Sequence, residues 1–314
     1  MNLPALKDIQ AAHSRIRPFI HFTPVLTSQQ LNRMFDCELF FKCENLQRVG
    51  AFKFRGATNA VLQLSETEKQ RGVVTHSSGN HAAALSLAAS MNGVKAHIVM
   101  PETAPEVKKK AVAGYGAEIT FCKPTLQARE ETTRIIMEKT GATLIHPYDN
   151  FNVICGQGTA ALELLSDKPD LDFVIAPVGG GGLMSGTSTC VRGIDSKIQV
   201  IGAEPLNAND AWQSFNSGKL VPSVNPLTVA DGLLTSLSEL TFRIIQNNVD
   251  QILTASEESI ISCMLLVWER MKIIIEPSSA TVLAVIKENP GIFRGKKAGL
   301  IISGGNVDFR KLPF

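Results

Sequence analysis

From residue 72 onward the chain alternates short, continuously apolar runs with longer segments whose apolar positions recur at helical spacing. The runs at 72–75, 96–100, 117–121, 142–146, 173–178, 199–204 and 298–302 read as buried strands. An earlier run at 38–42 reads the same way, and 23–26 is extended. Helices are expected at about 5–16, 29–35, 53–64, 81–92, 105–114, 126–140, 157–166, 209–216, 239–247, 257–271 and 278–288, and one after residue 182. Strands apolar on both faces, alternating with helices, mean βαβ units and parallel sheets covered on both sides. The fold class is therefore α/β, with two three-layer domains and a cleft between them.

Composition narrows this picture. A chain of 314 residues with 44% hydrophobic side chains can build two cores. A net charge of +2 supplies no broad basic field, so no nucleic-acid partner is expected. The six cysteines (Cys37, Cys43, Cys122, Cys155, Cys190, Cys263) form no CxxC pair, which indicates neither a zinc site nor a disulfide framework. No stretch approaches the length of a membrane span and the N-terminus has no apolar signal region, so a cytoplasmic protein with no membrane partner is expected.

Candidate chemistry begins at Lys53, in Val49-Gly50-Ala51-Phe52-Lys53-Phe54-Arg55-Gly56-Ala57. An amine held between apolar neighbours loses basicity and becomes a nucleophile able to form a Schiff base. Three turns follow buried strands. Gly179-Gly180-Gly181-Gly182 removes every Cβ at a helix start, which suits a phosphate monoester better than ATP or NAD. His76-Ser77-Ser78-Gly79-Asn80-His81 gathers hydroxyls, an amide and main-chain donors that suit a carboxylate. Ser303-Gly304-Gly305-Asn306 follows the last strand, where α/β sheets place ligands.

Together these segments, with Lys42-Cys43-Glu44-Asn45-Leu46-Gln47 and Gly156-Gln157-Gly158-Thr159, resemble the fold-type II pyridoxal-phosphate enzymes, and among them the serine racemase and serine/threonine dehydratase family. They stand in the family's order along nearly the whole chain. The resemblance implies a large cofactor-binding domain at 1–67 and 150–314 and a small domain at 68–149. It implies that Lys53 carries pyridoxal 5′-phosphate as a Schiff base and Phe52 packs near the ring. Gly179, Gly180, Gly181 and Gly182 would bind the phosphate, Asn80 the ring hydroxyl, and Ser303 would face the pyridine nitrogen. Ser77, Asn80 and His81 would hold the carboxylate of an amino-acid substrate. Lys53 would remove the Cα proton and hydroxide would leave Cβ, protonated by the cofactor phosphate, giving keto acid and ammonia. A neutral Ser303 favours elimination. Ser78, delivering a proton from the opposite face, would add racemisation. Glu204, Asp210 and the Ala208 carbonyl would coordinate Mg2+ or Ca2+, and a homodimer is implied.

The chain departs from the family pattern after His81, where Ala82-Ala83 replaces a pair ending in glutamine. That glutamine belongs to a nucleotide site, so its loss argues against ATP activation although Lys272 and Tyr115 match the site. The chain also stops soon after Asp308, so feedback control through a C-terminal regulatory domain is not expected. Arg129 matches a position near the substrate, which keeps 3-hydroxyaspartate open as an alternative. A β-replacement enzyme would carry a different residue at His81. A non-catalytic phosphate-binding α/β protein would share the glycine turn but not the use of Lys53.

Overall fold

All eight apolar runs become strands, and two further strands join them. The structure, a computed structural model, describes residues 2–104 and 106–313, apart from the side chain of Val107. Its strands are β1 (Val25–Leu26), β2 (Glu38–Cys43), β3 (Val73–His76), β4 (Ala96–Pro101), β5 (Glu118–Cys122), β6 (Thr143–Leu144), β7 (Phe173–Pro177), β8 (Gln199–Pro205), β9 (Gln251–Ala255) and β10 (Lys297–Ile302). They form a six-stranded sheet ordered β1-β2-β10-β7-β8-β9 and a four-stranded sheet ordered β5-β4-β3-β6. Among the described strands only the β1–β2 pair is antiparallel.

Successive residues of β10 divide between the two faces of the larger sheet. Leu300 and Ile302 pack with Met264, Val267, Leu283 and Ile286 of the helices Glu257–Met271 and Pro277–Glu288. Ile301 packs on the other side, in the cluster that holds Leu164, Met184 and Ile245. This period-two division of a wholly apolar strand is what two covered faces require. Against the smaller sheet, Ile98 and Met100 of β4 join Leu85, Ala88 and Ala89 of the helix Asn80–Met91.

The register aligns the carboxyl ends of the strands. Ile302 lies beside Cys43, and Pro177 beside Ala203. The turns after β2, β7 and β10 therefore open at one edge of the sheet, where parallel α/β sheets place their ligands.

Several boundaries differ from expectation. The run at 142–146 supplies only the two residues of β6, and β9 had not been expected, because Gln251 and Thr254 interrupt its apolar pattern. The expected start of a helix at residue 105 lies outside the described residues; the helix is described from Glu106 to Gly114. The helix expected at 157–166 runs instead from Phe151 to Asp167, capped by Asn150 accepting from the Val153 N–H at 3.0 Å. Gly156, normally unfavourable inside a helix, is there because a Cβ would lie 2.6 Å from the Arg55 carbonyl oxygen.

That crossing holds the helix Lys53–Leu62 in place, and so does a buried set of charges beside it. Arg55 is fully buried and donates to Glu44 Oε2 (2.7 Å), Glu44 Oε1 (2.8 Å) and both oxygens of Glu163 (2.7 Å each). Lys42 donates to Glu163 Oε2 and to the Thr23 carbonyl, at 2.6 Å each. Two cations meet two carboxylates, each bonded several times over, which is the condition for burying charge at tolerable cost.

Candidate active site

The two phenylalanines that flank Lys53 enter different cores. Phe52 packs against the cluster on the larger sheet, and Phe54 lies in the cluster of the smaller one. Lys53 is thereby held at the seam, half-buried. Its Nζ donates to the Pro147 carbonyl at 3.0 Å and lies 5.1 Å from the centre of the Phe52 ring. Among the described residues no carboxylate makes an ion pair with it. Burial pulls its pKa down to about 8, against a weaker upward pull from Glu276.

The turn after β10 is tied to this stretch by main-chain bonds. The Phe52 N–H donates to the Ser303 carbonyl and the Gly305 N–H to the Gly50 carbonyl, at 2.9 Å each. Ser303 is 3% exposed, with its Oγ 3.0 Å from Ser279 Oγ. Ser279 donates to the Gly304 carbonyl and accepts from the Gly304 N–H, at 2.7 Å each.

Gly179, Gly180, Gly181 and Gly182 follow β7 and lead into the helix Gly182–Ile194. A Cβ on Gly180 would lie 2.3 Å from Tyr148 Cδ1, so only glycine allows this approach. The first turn of that helix presents main-chain N–H groups without intrahelical partners, and its leading glycines put no Cβ of their own beside them, a donor set that fits a phosphate.

The turn after β3 is anchored by the Ser77 N–H on the Val99 carbonyl (3.1 Å), and Ser77 Oγ accepts from the Gly79 N–H (3.3 Å). Ser78 is half-buried in the same turn. Asn80 Nδ2 donates to Glu276 Oε1 (3.1 Å) and Oε2 (3.2 Å), while Asn80 Oδ1 accepts from Asn306 Nδ2 (2.9 Å). One amide thus spans the seam between the two sheets. The His81 ring faces inward. It is 2% exposed, and its Nε2 lies 3.0 Å from the Ile145 carbonyl, so that nitrogen is the donor. Burial and the nearby Lys53 charge hold its pKa down at about 3. A neutral ring turned inward does not grip a carboxylate; what His81 offers is its main-chain N–H in the first helical turn.

Sequence reasoning missed Glu276. It is 4% exposed, and burial, with Asp231 adding to it, pushes its pKa up to about 7. A single acid closing the apolar run 273–275 just before Pro277 was its available signal. His146 was read only as part of a strand. Its ring meets His76 and Tyr148 edge-on, with centroids 5.8 Å and 4.6 Å away, and burial lowers its pKa to about 4. Arg129 lies on the helix Leu126–Thr140, where its charge helps to lower His76. Its buried Nε has no hydrogen-bond partner.

Glu204 and Asp210 lie in a separate buried spot, 1% and 5% exposed. Glu204 accepts from the N–H groups of Ala211 (2.9 Å) and Trp212 (2.7 Å), while Asp210 meets the Ser223 hydroxyl and, among the described residues, no cation. Burial pushes Glu204 up to about 9 and Asp210 to about 6. Ala208 is buried in the turn between them. Among the described residues no group of three His, Cys, Asp or Glu side chains is arranged to hold a metal ion. Two carboxylates short of positive charge, with main-chain carbonyls nearby, fit a hard oxygen-seeking cation.

Fold and site define a class: a doubly covered α/β protein with a lysine of lowered basicity at the seam of two parallel sheets and a glycine turn suited to phosphate. The chain belongs to the pyridoxal-phosphate dependent enzyme family, which it matches over residues 16–304. It is 52% identical to the serine racemase of Dictyostelium discoideum, over 98% of this chain and 96% of that one. It is 48% identical to the beta-hydroxyaspartate dehydratase of Paracoccus denitrificans, over the full length of both. Among solved structures, maize serine racemase superposes with a TM-score of 0.96 at 40% identity, covering 98% of this chain and 95% of that one. Among the described residues no helix is long and apolar enough to cross a membrane.

Proposed function

We propose that the protein is a pyridoxal-phosphate-dependent ammonia-lyase for hydroxy amino acids such as L-serine or L-threonine, with serine racemase activity at the same site. The observation that carries this reading is Lys53: a half-buried amine without an acid to pair with, its basicity lowered, between the glycine cradle and the turns bearing Asn80 and Ser303. The cofactor supplies the electron sink that makes Cα–H bond breaking accessible. Lys53 would anchor it and, as a free amine, would accept the Cα proton. Gly179, Gly180, Gly181 and Gly182 hold its phosphate, Phe52 packs beside its ring, Asn80 donates to its ring hydroxyl, and Ser303 faces its nitrogen without supplying charge. Ser77, the Asn80 main chain and the His81 N–H hold the substrate carboxylate. The Cα–H and Cβ–OH bonds break, water leaves, and hydrolysis of the resulting imine releases keto acid and ammonia. Ser78 supplies a proton on the face opposite Lys53, which converts L- to D-serine.

The division into 1–67 with 150–314 and 68–149 belongs to this reading; its support is that β3 to β6 form a sheet of their own. Glu204, Asp210 and the Ala208 carbonyl bind Mg2+ or Ca2+, which the two buried carboxylates, with no cation paired to them among the described residues, support. A homodimer is part of the reading too, supported by the exposed Phe22, Leu46, Ile274 and Phe309.

One observation favours a second reading. Arg129 brings an unpartnered buried Nε beside His76, and a guanidinium is suited to a second carboxylate. The alternative substrate is 3-hydroxyaspartate.

The purified protein should turn yellow with pyridoxal phosphate and lose that colour on Lys53→Ala. Keto acid and D-amino acid should then be measured from L-serine, L-threonine and 3-hydroxyaspartate, in wild type and Ser78→Ala. A protein that stays colourless with the cofactor refutes the reading. Racemisation unchanged in Ser78→Ala refutes the role of Ser78.

A further inference from the structure

Val49 carries a backbone strain that the machinery above leaves unexplained. It is a β-branched residue at φ +56°, a region such side chains rarely enter. Strain of this kind persists only where surrounding contacts over-determine it, and it gathers at functional sites. The contact here is specific. The strained turn aims the Val49 carbonyl at Asn306, whose Nδ2 donates to it at 2.8 Å. A carbonyl can only accept, so this bond decides which end of the Asn306 amide is nitrogen. The same Nδ2 donates its other hydrogen to Asn80 Oδ1 at 2.9 Å, which decides the Asn80 amide in turn. Asn80 Nδ2 then faces the Glu276 carboxylate, reaching both of its oxygens. Glu276 Oε2 also accepts the Asn306 main-chain N–H at 3.2 Å, which closes the ring of contacts.

We infer that Val49, Asn306 and Glu276 form an orienting clamp that fixes the Asn80 side-chain amide with one Nδ2 hydrogen on Glu276 and leaves the second free to donate to a ring oxygen of the cofactor. An amide nitrogen has two hydrogens, and the two contacts to a single carboxylate need only one of them. Asn306 and Glu276 are positioning residues; neither takes part in the chemistry. Without them none of the contacts described sets which end of the Asn80 amide is turned to the cofactor.

The inference rests on the cofactor reading above, and its test separates the two. Asn306→Asp has the size and shape of the native residue but turns its donor into an acceptor, facing the Val49 carbonyl and Asn80 Oδ1. Glu276→Gln replaces one of the two acceptor oxygens with a donor. The readouts are the ratio of visible to near-ultraviolet absorption of the bound cofactor, which reports whether its ring oxygen is anionic, and the dissociation constant for pyridoxal phosphate. Both variants should lower the ratio and weaken binding by about fivefold, the size of one lost hydrogen bond. Apo-protein stability, followed by circular dichroism, should stay near wild type. Wild-type ratio and affinity in Asn306→Asp would overturn the clamp while leaving the cofactor reading intact. If that variant does not fold, the same result in Glu276→Gln overturns it. A wild type that binds no cofactor overturns both.

Discussion

Two groups of buried charge lie on either side of the helix that starts at Lys53, and they are built on opposite rules. In the first, Arg55, Lys42, Glu44 and Glu163 satisfy one another. Burial alone would lower Arg55, but Glu44 and Glu163 outweigh it and hold the guanidinium above its ordinary range. Burial alone would raise Glu163, yet its bonds to His13 and Arg55 and the charge of Lys42 bring it down to about 2. Arg55 and Glu163 are both pushed toward their charged forms. In the second, Lys53, Glu276, His81 and His146 are pushed toward neutrality, with burial the leading cause in all four. A closed set of charges holds an element in place. An open set, in which burial is not compensated, leaves the Lys53 amine free to act as nucleophile and base and the site ready to receive a charged ligand.

The largest effect should separate the groups by what fails. Lys53→Ala should reduce turnover by at least about a thousandfold, as loss of a nucleophile and proton acceptor does. It should leave the apo-protein at least as stable as wild type, because it removes a desolvated amine. Calorimetry of the apo-form beside steady-state kinetics checks both. Arg55→Met should do the reverse and destabilise the fold by about 3–5 kcal/mol, because Glu163 is left with Lys42 and His13 and the buried Glu44 carboxylate with only the Thr23 hydroxyl. Denaturant unfolding of the two variants is the direct test. A stable Arg55→Met protein would mean that the closed set is not structural.

The pair at Glu204 and Asp210 resembles the open group, and a cation would move it into the closed one. Mg2+ or Ca2+ at about a hundredfold excess over its Kd should stabilise the protein by about 2.7 kcal/mol. Asp210→Asn should abolish that response. Thermal unfolding with and without chelator reads it out, and an unchanged Tm with either ion would remove the site.

The strand runs were legible because each has an apolar, β-branched or aromatic centre, and the turns because glycine and serine follow several of those strands directly. Lys53 was legible from its immediate neighbours. The partners that decide its neighbourhood were not. Glu276 meets Asn80 only when two sheets close on one seam, and Glu163 meets Arg55 only through the crossing at Gly156. No local pattern encodes contacts of that range. The direction of the His81 ring was not legible for a related reason: its position in a polar turn was readable, but the ring is set by the Ile145 carbonyl, delivered by a different strand region.

The smallest expected effect tests the open group most finely. Only the neutral amine of Lys53 can attack an aldehyde, so the rate at which apo-protein captures pyridoxal phosphate should follow its deprotonation. With burial holding the pKa at about 8, capture should rise with pH and level off above that value, where an ordinary lysine would keep rising to about 10.5. At pH 7 it should be about tenfold slower than on the plateau, since one unit below its pKa roughly a tenth of an amine is neutral. Glu276 is the charge that raises this pKa, so Glu276→Gln should move the midpoint lower. A midpoint that moves upward, or one found near 10 in the wild type, would place Lys53 with the compensated charges and dissolve the contrast between the two groups. Stopped-flow absorbance across pH 6 to 10 measures it.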